Sequence, residues 1–312
     1  MTETSRKILG DFQVRKSGRQ KAEFRSWLSE ELTRAGYAPK EEHHGGLIPG
    51  CNLVVGDPER AEVICTAHYD TCAVMPLPNF ITPRNMAWYL LYQLVLTAVI
   101  FLFAVAVEIA VIVAFDPPAA IAALAMEAAL FFALWWLMFG PANKCTANDN
   151  TSGVIVLAET VLTIPEELRN KVCFVLFDHE EKGLFGSAAF VKAHPKTKGN
   201  TPVLNFDCVG DGDFLQFFPN TSAKNDTLLM GRLESAFLTE GEKTVEVVRS
   251  FGFYPSDQRH FRRGIGVCAL QKHRIFGYYM DKIHTGKDSV LDEDNIRLLR
   301  DGVERLLRMS MQ

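Results

Sequence analysis

The 312-residue sequence predicts an α/β fold in which helices flank a mostly parallel central sheet and an α-helical hairpin is inserted. Short apolar runs alternate with helical patterns along most of the chain, which is typical of parallel strands covered by helices on both faces. Residues 172–177 are apolar throughout, as expected of a strand buried on both sides. Two longer apolar runs, 86–115 and 119–139, flank an Asp-Pro-Pro turn signal at 116–118 and predict the hairpin.

Before the hairpin we predict one helix and two strands. Apolar side chains recur at helical spacing over 18–37, and Gly36 ends this helix. The short apolar runs 52–55 and 61–67 are predicted strands. After the hairpin the same two patterns alternate. The predicted elements there are helices over 154–164, 185–193, 226–238 and 292–309, and strands over 172–177, 203–206 and 267–270.

The bulk composition excludes some classes of protein. The formal net charge is −4, so there is no basic excess to pair with phosphates, and we expect no nucleic-acid partner. The seven cysteines show no zinc-finger spacing, and we interpret them as buried free thiols in a reducing compartment. The first residues carry no apolar core of a leader, so we expect no secretory signal peptide.

Histidine, aspartate and glutamate cluster where predicted strands end, and ligands of open α/β sheets bind at such positions. The segments are 67–71 (AHYDT), 147–153 (ANDNTSG), 177–187 (FDHEEKGLFGS), 204–210 (LNFDCVG) and 282–288 (KIHTGKD). Asp70 lies two residues after His68, so its carboxylate can reach the imidazole, as it does behind many metal-bound histidines. Taken singly, these segments also fit a polar turn, a helix N-cap or a solvated surface.

Together the five segments resemble peptidase family M28, a family of zinc peptidases. The family's pattern is His-x-Asp, an Asp before Asn and Ser-Gly, a Glu-Glu pair, an Asp at a strand end and a late His-Thr, and this sequence has all five in that order. Ser256-Asp257, followed by Phe261 and Gly264, also resembles the stretch before the family's last strand. The resemblance covers about residues 15–85 and 142–310, which is nearly everything outside the apolar insert.

The resemblance implies two zinc ions per chain that share one carboxylate. The implied ligands are His68, Asp149 and Asp207 for one ion, and Asp149, Glu181 and His284 for the other. Glu180 is the implied general base, and Asp70 is implied to orient His68. The remaining histidines considered lie outside the matched motifs and are interpreted as loop or surface residues: His43, His44, His179 and His194.

The implied function is a zinc-dependent peptidase, specifically an aminopeptidase that cleaves N-terminal residues from peptides with activated water. One alternative is a glutaminyl cyclase-like enzyme with one zinc ion. Another is a non-catalytic receptor or scaffold on the same fold, which would be expected to have lost ligands. The complete set of ligand types favours the peptidase.

The insert divides the catalytic domain into two parts, 1–85 and 142–312, around a hairpin at 86–141. Each apolar run is long enough to cross a bilayer, so we expect membrane association through residues 86–139. Arg84 and Lys144 flank the entry side, which predicts a cytoplasmic catalytic domain. The alternative is a soluble cytoplasmic protein whose hairpin is a lid or dimerisation arm.

Each hairpin run contains one interrupting glutamate, Glu108 or Glu127, and both lie at a similar distance from the turn. Acidic side chains within a membrane usually pair or face protein. We therefore expect both to face a protein interior, either within the hairpin or across a homodimer.

Overall fold

The predicted α/β fold is confirmed by a computed structural model that describes residues 1–46, 48–199 and 201–309. In this part of the chain a nine-stranded sheet has the order β1-β2-β4-β3-β5-β8-β6-β7, and β9 pairs with β8. The strands are β1 (Lys40–His44), β2 (Gly50–Val55), β3 (Val63–His68), β4 (Val172–Phe177), β5 (Val203–Phe206), β6 (Phe214–Pro219), β7 (Thr244–Val247), β8 (Gly264–His273) and β9 (Gly277–Tyr279).

Most of the helices cover the two faces of the sheet, and two others form the hairpin. They are α1 (Glu3–Asp11), α2 (Gly18–Arg34), α3 (Met86–Phe115), α4 (Ala119–Phe139), α5 (Gly153–Thr163), α6 (Phe185–Ala193), α7 (Thr221–Lys224), α8 (Thr227–Ala236) and α9 (Glu293–Met309). The larger core lies between one face of the sheet and α1, α2, α5, α8 and α9. A smaller core on the other face is built around the rings of Phe177, Phe190 and Phe261.

The centre of the sheet is parallel, and most of the strand pairs outside the centre are antiparallel. The neighbouring pairs β4–β3, β3–β5 and β5–β8 run parallel, whereas β1–β2, β2–β4, β6–β8 and β8–β9 run antiparallel. At one edge of the sheet, β7 pairs with β6 in parallel. The parallel prediction therefore holds for the centre. The strands that were not predicted, β1, β6, β7 and β9, are all outside it. β1 is the clearest case, because its sequence Lys-Glu-Glu-His-His has no apolar alternation.

The hairpin stands apart from the rest of the fold. α3 and α4 have mean hydropathies of 2.9 and 1.9 in their most apolar windows, and only 6% and 11% of those windows are buried. Where the two helices pack together, the buried side chains are Ala104, Ala122 and Ala129, and such small residues allow close helix packing. Both helices are therefore long and apolar enough to cross a membrane.

Candidate metal centre

The candidate ligands meet at the carboxyl edge of the parallel strands. His68 is the last residue of β3, Asp207 follows β5 directly, and Glu181 lies four residues after β4. Asp149 lies in an irregular turn just before α5, and His284 follows β9. Because β4, β3 and β5 are parallel neighbours, their ends bring these distant segments together.

The first group consists of His68, Asp149 and Asp207, all of which are buried. The Nε2 atom of His68 lies 3.3 Å from Oδ1 of Asp149 and 3.4 Å from Oδ1 of Asp207. These three ligand atoms all lie within 4.8 Å of one another. The spacing matches that of donors that converge on one cation.

The second group shares Asp149 with the first. The Nε2 atom of His284 lies 3.0 Å from the other carboxylate oxygen of Asp149, Oδ2, and 3.3 Å from Oε2 of Glu181. Asp149 thus directs one oxygen towards each group. This is the arrangement needed for a carboxylate that bridges two cations.

Burial and neighbouring charges shift the pKa values of side chains in and beside both groups. Burial raises the pKa of Glu181 to about 8 and raises that of Glu180 well above its usual value. Burial alone would lower the pKa of His284, but the nearby carboxylates of Glu181 and Asp149 raise it to about 9. Burial alone would raise the pKa of Asp149, yet the imidazoles of His284 and His68 hold it below the ordinary value. Perturbed pKa values of this kind cluster at functional sites.

The donor set suits a divalent cation such as zinc. Imidazole nitrogens and carboxylate oxygens are the ligands that zinc takes in catalytic sites. The Oε1 atom of Glu181 is buried and has no hydrogen-bond partner, so it retains an open acceptor position within the cluster. A bound cation would compensate the carboxylate charges of Asp149, Glu181 and Asp207.

Asp70 contacts the imidazole of His68 through both its backbone and its side chain. The Nδ1 atom of His68 lies 3.1 Å from the backbone carbonyl oxygen of Asp70 and 3.6 Å from its carboxylate. The carboxylate also accepts the backbone N–H of Glu180 at 3.0 Å. Asp70 therefore links the His68 segment to the Glu180 segment, and the closer support of the imidazole is the Asp70 backbone.

Asp288 supports the centre and was not singled out from the sequence, although it closes the segment 282–288. Its carboxylate accepts the backbone N–H groups of Asn148 and Asp149 at 2.8 and 2.9 Å, and these bonds fix the turn that carries the shared ligand. Burial raises the pKa of Asp288 to about 7. Its place four residues after His284 was the available signal.

A buried ion pair supports the other side of the centre. Lys21 Nζ lies 2.5 Å from Oδ1 of Asp178, and both side chains are almost fully buried. Asp178 also accepts the backbone N–H groups of His179 and Cys51 at 2.9 and 3.1 Å. The pair thus anchors the turn that leads into Glu180. No sequence signal marked Lys21, since a lysine on an amphipathic helix is normally solvated.

Two further residues close to the centre, His179 and Cys72, have positions that the sequence did not predict. His179 was predicted to be a loop or surface residue; it lies in the loop between β4 and α6, but it is 3% exposed and packs beside Lys21. His43 and His44 lie in β1 rather than in a loop, and the side chain of His43 is 72% exposed, as expected of a surface residue. Cys72 was not assigned, yet its Sγ atom lies within 4.8 Å of ligand atoms of Glu181 and His284. Burial raises the pKa of the Cys72 thiol well above its usual value, which favours the neutral thiol.

Backbone strain also concentrates here. His179, Cys208 and His284 adopt left-handed conformations, with φ values of 59°, 56° and 60°. Residues other than glycine rarely hold this conformation unless the surrounding structure imposes it, and such positions are frequent at functional sites. Each one lies at or beside a candidate ligand or base.

Solved structures share this fold. The chain superimposes on a Zn-dependent exopeptidase from Parabacteroides distasonis with a TM-score of 0.58 and 16% identity, over 97% of this chain and 94% of the other. The LapA aminopeptidase of Legionella pneumophila gives a TM-score of 0.57 and 14% identity, over 98% and 69%. Porphyromonas gingivalis glutaminyl cyclase gives 0.60 and 16%, over 98% and 96%.

Sequence comparison supplies the family. No curated protein matches this chain significantly. The model of peptidase family M28 matches residues 133–303, which is more than half of the chain and includes every candidate ligand except His68. The resemblance predicted from the sequence is thereby confirmed: the chain belongs to peptidase family M28 and is a metal-dependent hydrolase.

Proposed function

We propose that this protein is an aminopeptidase that uses two zinc ions to remove N-terminal residues from peptides. The observation that carries the proposal is the sharing of Asp149, whose two oxygens face two separate groups of ligand atoms. One-zinc chemistry would need only one such group.

The proposed ligands are His68, Asp149 and Asp207 for one ion, and Asp149, Glu181 and His284 for the other. Zinc bound there would supply Lewis acidity, which polarises the scissile carbonyl and lowers the pKa of water. The negative charge of the three carboxylates and the neutral form of the two imidazoles suit a dication.

Glu180 is the proposed general base. A carboxylate oxygen of Glu180 lies within 4.8 Å of ligand atoms of His68 and Glu181, so it borders both groups. Its burial raises its pKa well above the usual value, which strengthens it as a base. Glu180 takes a proton from the attacking water and returns it to the nitrogen of the leaving amine. The bond from Asp70 to the Glu180 backbone holds the base in place.

Metal analysis combined with an activity panel tests the proposal. Purified protein should contain two zinc ions per chain and hydrolyse aminoacyl arylamides, and a chelator should abolish both. One zinc ion per chain, with cyclisation of N-terminal glutamine and no arylamide hydrolysis, would instead identify a glutaminyl cyclase-like enzyme. Full zinc loading without turnover of any peptide would identify a non-catalytic receptor or scaffold.

The hairpin supports a second part of the proposal, namely that residues 86–139 anchor the enzyme in a membrane with the catalytic domain in the cytoplasm. The surface of α3 and α4 is apolar nearly throughout, and tryptophans and tyrosines lie at the catalytic end of both helices, as in interfacial aromatic belts. Arg84 and Lys144 flank the same end. Cysteine introduced for Asp116 at the turn should react with an impermeant maleimide from outside intact cells, whereas cysteine introduced for Lys144 should not.

A homodimer would explain the glutamates of the hairpin. Glu127 is exposed on the hairpin surface and Glu108 is half-buried, so the hairpin itself does not enclose Glu127. A second copy would shield this carboxyl from lipid. Replacing both glutamates by leucine should then weaken cross-linking of two chains in the membrane, and unchanged cross-linking would reject the dimer.

A further inference from the structure

The hairpin joins the catalytic domain at the rim of the metal centre. The chain enters α3 and leaves α4 through two segments that pair with each other, because the N–H of Val74 donates to the carbonyl of Pro141 at 2.9 Å. The next residue, Met75, donates its N–H to the carbonyl of His284 at 2.7 Å. One hydrogen bond therefore connects the base of the hairpin to a candidate ligand.

The last turn of α4 contacts two lysines, one of which directly follows a candidate ligand in the chain. The Nζ atom of Lys16 donates to the carbonyl of Met138 at 2.9 Å. The Nζ atom of Lys182, the residue after Glu181, lies 5.9 Å from the ring centroid of Phe139. Both ends of the hairpin thus contact segments that carry the proposed chemistry.

The position at which α3 and α4 begin to run side by side can be found by counting residues back from the turn. Val95 and Phe139 each lie 20 residues from the turn-side end of their helix. The start of α3 before Val95 packs on the catalytic domain, where Trp88 stacks edge-on against Phe276 at 5.2 Å. The paired part beyond Val95 is about 30 Å long, which matches the hydrocarbon core of a bilayer.

An apolar cavity of about 460 Å³ lies between the hairpin and the catalytic domain, just beyond this level. Every residue that lines it is apolar. Its walls include Met75 and Leu77 from the catalytic domain, Leu96 and Phe103 from α3, and Ala133 and Leu137 from α4. The volume lies within the usual range of ligand cavities. Met75 belongs both to this wall and to the bond with His284.

We propose that this cavity receives an apolar stretch of the substrate, so that the enzyme trims peptides whose N-terminus emerges from the bilayer. The inference rests on the proposed aminopeptidase function and adds the substrate class. An apolar segment held between the helices at the level of Met75 keeps the preceding residues of the same peptide close to His284 and the shared carboxylate of Asp149. A peptide occupant accounts for the position of the cavity beside the centre, which a structural lipid would not require.

Matched peptides in phospholipid vesicles test this proposal. Both peptides begin with the same residues, and only the long one continues into about 15 apolar residues, enough to enter one leaflet. Narrowing the cavity with Ala133→Phe should lower the ratio of kcat/KM for the long peptide to kcat/KM for the short one by about tenfold. The control Ala128→Phe makes the same change on the same helix at an exposed position outside the cavity, and it should leave the ratio unchanged.

The outcomes separate the two levels of the proposal. If zinc-loaded wild-type protein cleaves neither peptide, the aminopeptidase function fails and this inference fails with it. If both peptides are cleaved and Ala133→Phe leaves the ratio as in the control, the substrate class alone is wrong.

Photo-cross-linking of wild-type protein gives an answer even if Ala133→Phe does not fold. A long peptide with a photoreactive phenylalanine at the start of its apolar stretch should label residues 96–103 and 132–137. Peptide labels confined to other surfaces would overturn the proposal, as would labelling of the cavity by a photoactivatable phospholipid that the peptide fails to displace.

Discussion

Replacing Glu180 by glutamine isolates the proton-transfer step. Glutamine has nearly the same shape, and the backbone N–H of residue 180 can still donate to Asp70, which accepts it at 3.0 Å in the native protein. The change removes only the atom that accepts the proton. Glu180 belongs to neither of the two ligand groups, so zinc binding should persist.

The size of the effect follows from the environment of the base. Positioned general bases contribute about 10² to 10⁴ in rate, or roughly 2.7–5.5 kcal/mol of barrier. Because burial raises the pKa of Glu180 well above its usual value, its loss should fall in the upper half of that range. We expect kcat for an aminoacyl arylamide to fall by about 10³ or more, with KM changed little.

The assay measures initial rates and zinc content of the same preparations. The neighbouring change Glu181→Gln is a matched control, since it removes a candidate ligand and should lower zinc content together with activity. Native turnover by Glu180→Gln would show that another group takes the proton. Loss of zinc from Glu180→Gln would show that Glu180 is a zinc ligand, and its assignment as the general base would then be wrong.

Three further predictions concern stability and pH. Lys21→Met leaves the buried carboxylate of Asp178 without its ion-pair partner and should lower the free energy of unfolding by about 3–5 kcal/mol. Adding Asp178→Asn should restore part of this loss. An unchanged denaturation midpoint for Lys21→Met would contradict the prediction. Zinc needs a charged Glu181 and a neutral His284, whose pKa values without zinc are about 8 and 9, so calorimetry should find affinity rising and proton release falling from pH 6 to 9. The pKa values of Glu181 and His284 both exceed those of the same groups in the unfolded chain. The stability that the two groups contribute without zinc is therefore lost as the pH rises through 8 and 9. A melting temperature of the zinc-free protein that increases between pH 8 and 9 would refute these raised pKa values.

Elements with a strong local signal could be predicted to the residue. The hairpin helices have the predicted bounds because continuous apolar composition and an Asp-Pro-Pro break define them without tertiary context. β4 was predicted to the residue for the same reason, since a strand buried on both faces is apolar throughout. β1 was missed because its side chains are all charged or histidine, so its sequence has no apolar pattern typical of a strand. It is a strand because its backbone pairs with β2.

The candidate site also has residues that could be predicted from the sequence and residues that could not. Its ligand-type residues could be named because they follow buried strands, and the strand order then brings them together; their roles remain predictions. Lys21 could not be found, because its burial depends on Asp178, which lies 157 residues away in the chain. The burial of His179 has the same cause, since that side chain packs beside the ion pair.

The hairpin separates His68 from Asp149 by 81 positions in the chain, and this placement imposes an order on biogenesis. When α3 and α4 have paired, the connection between these two residues is shortened to the two flanking segments, which lowers the entropy cost of closing it by about 1 kcal/mol. As the chain leaves the ribosome, the first histidine emerges early, and its partners follow only after both helices have been made. A nascent chain therefore cannot bring the candidate ligands together until both helices of the hairpin have been synthesised.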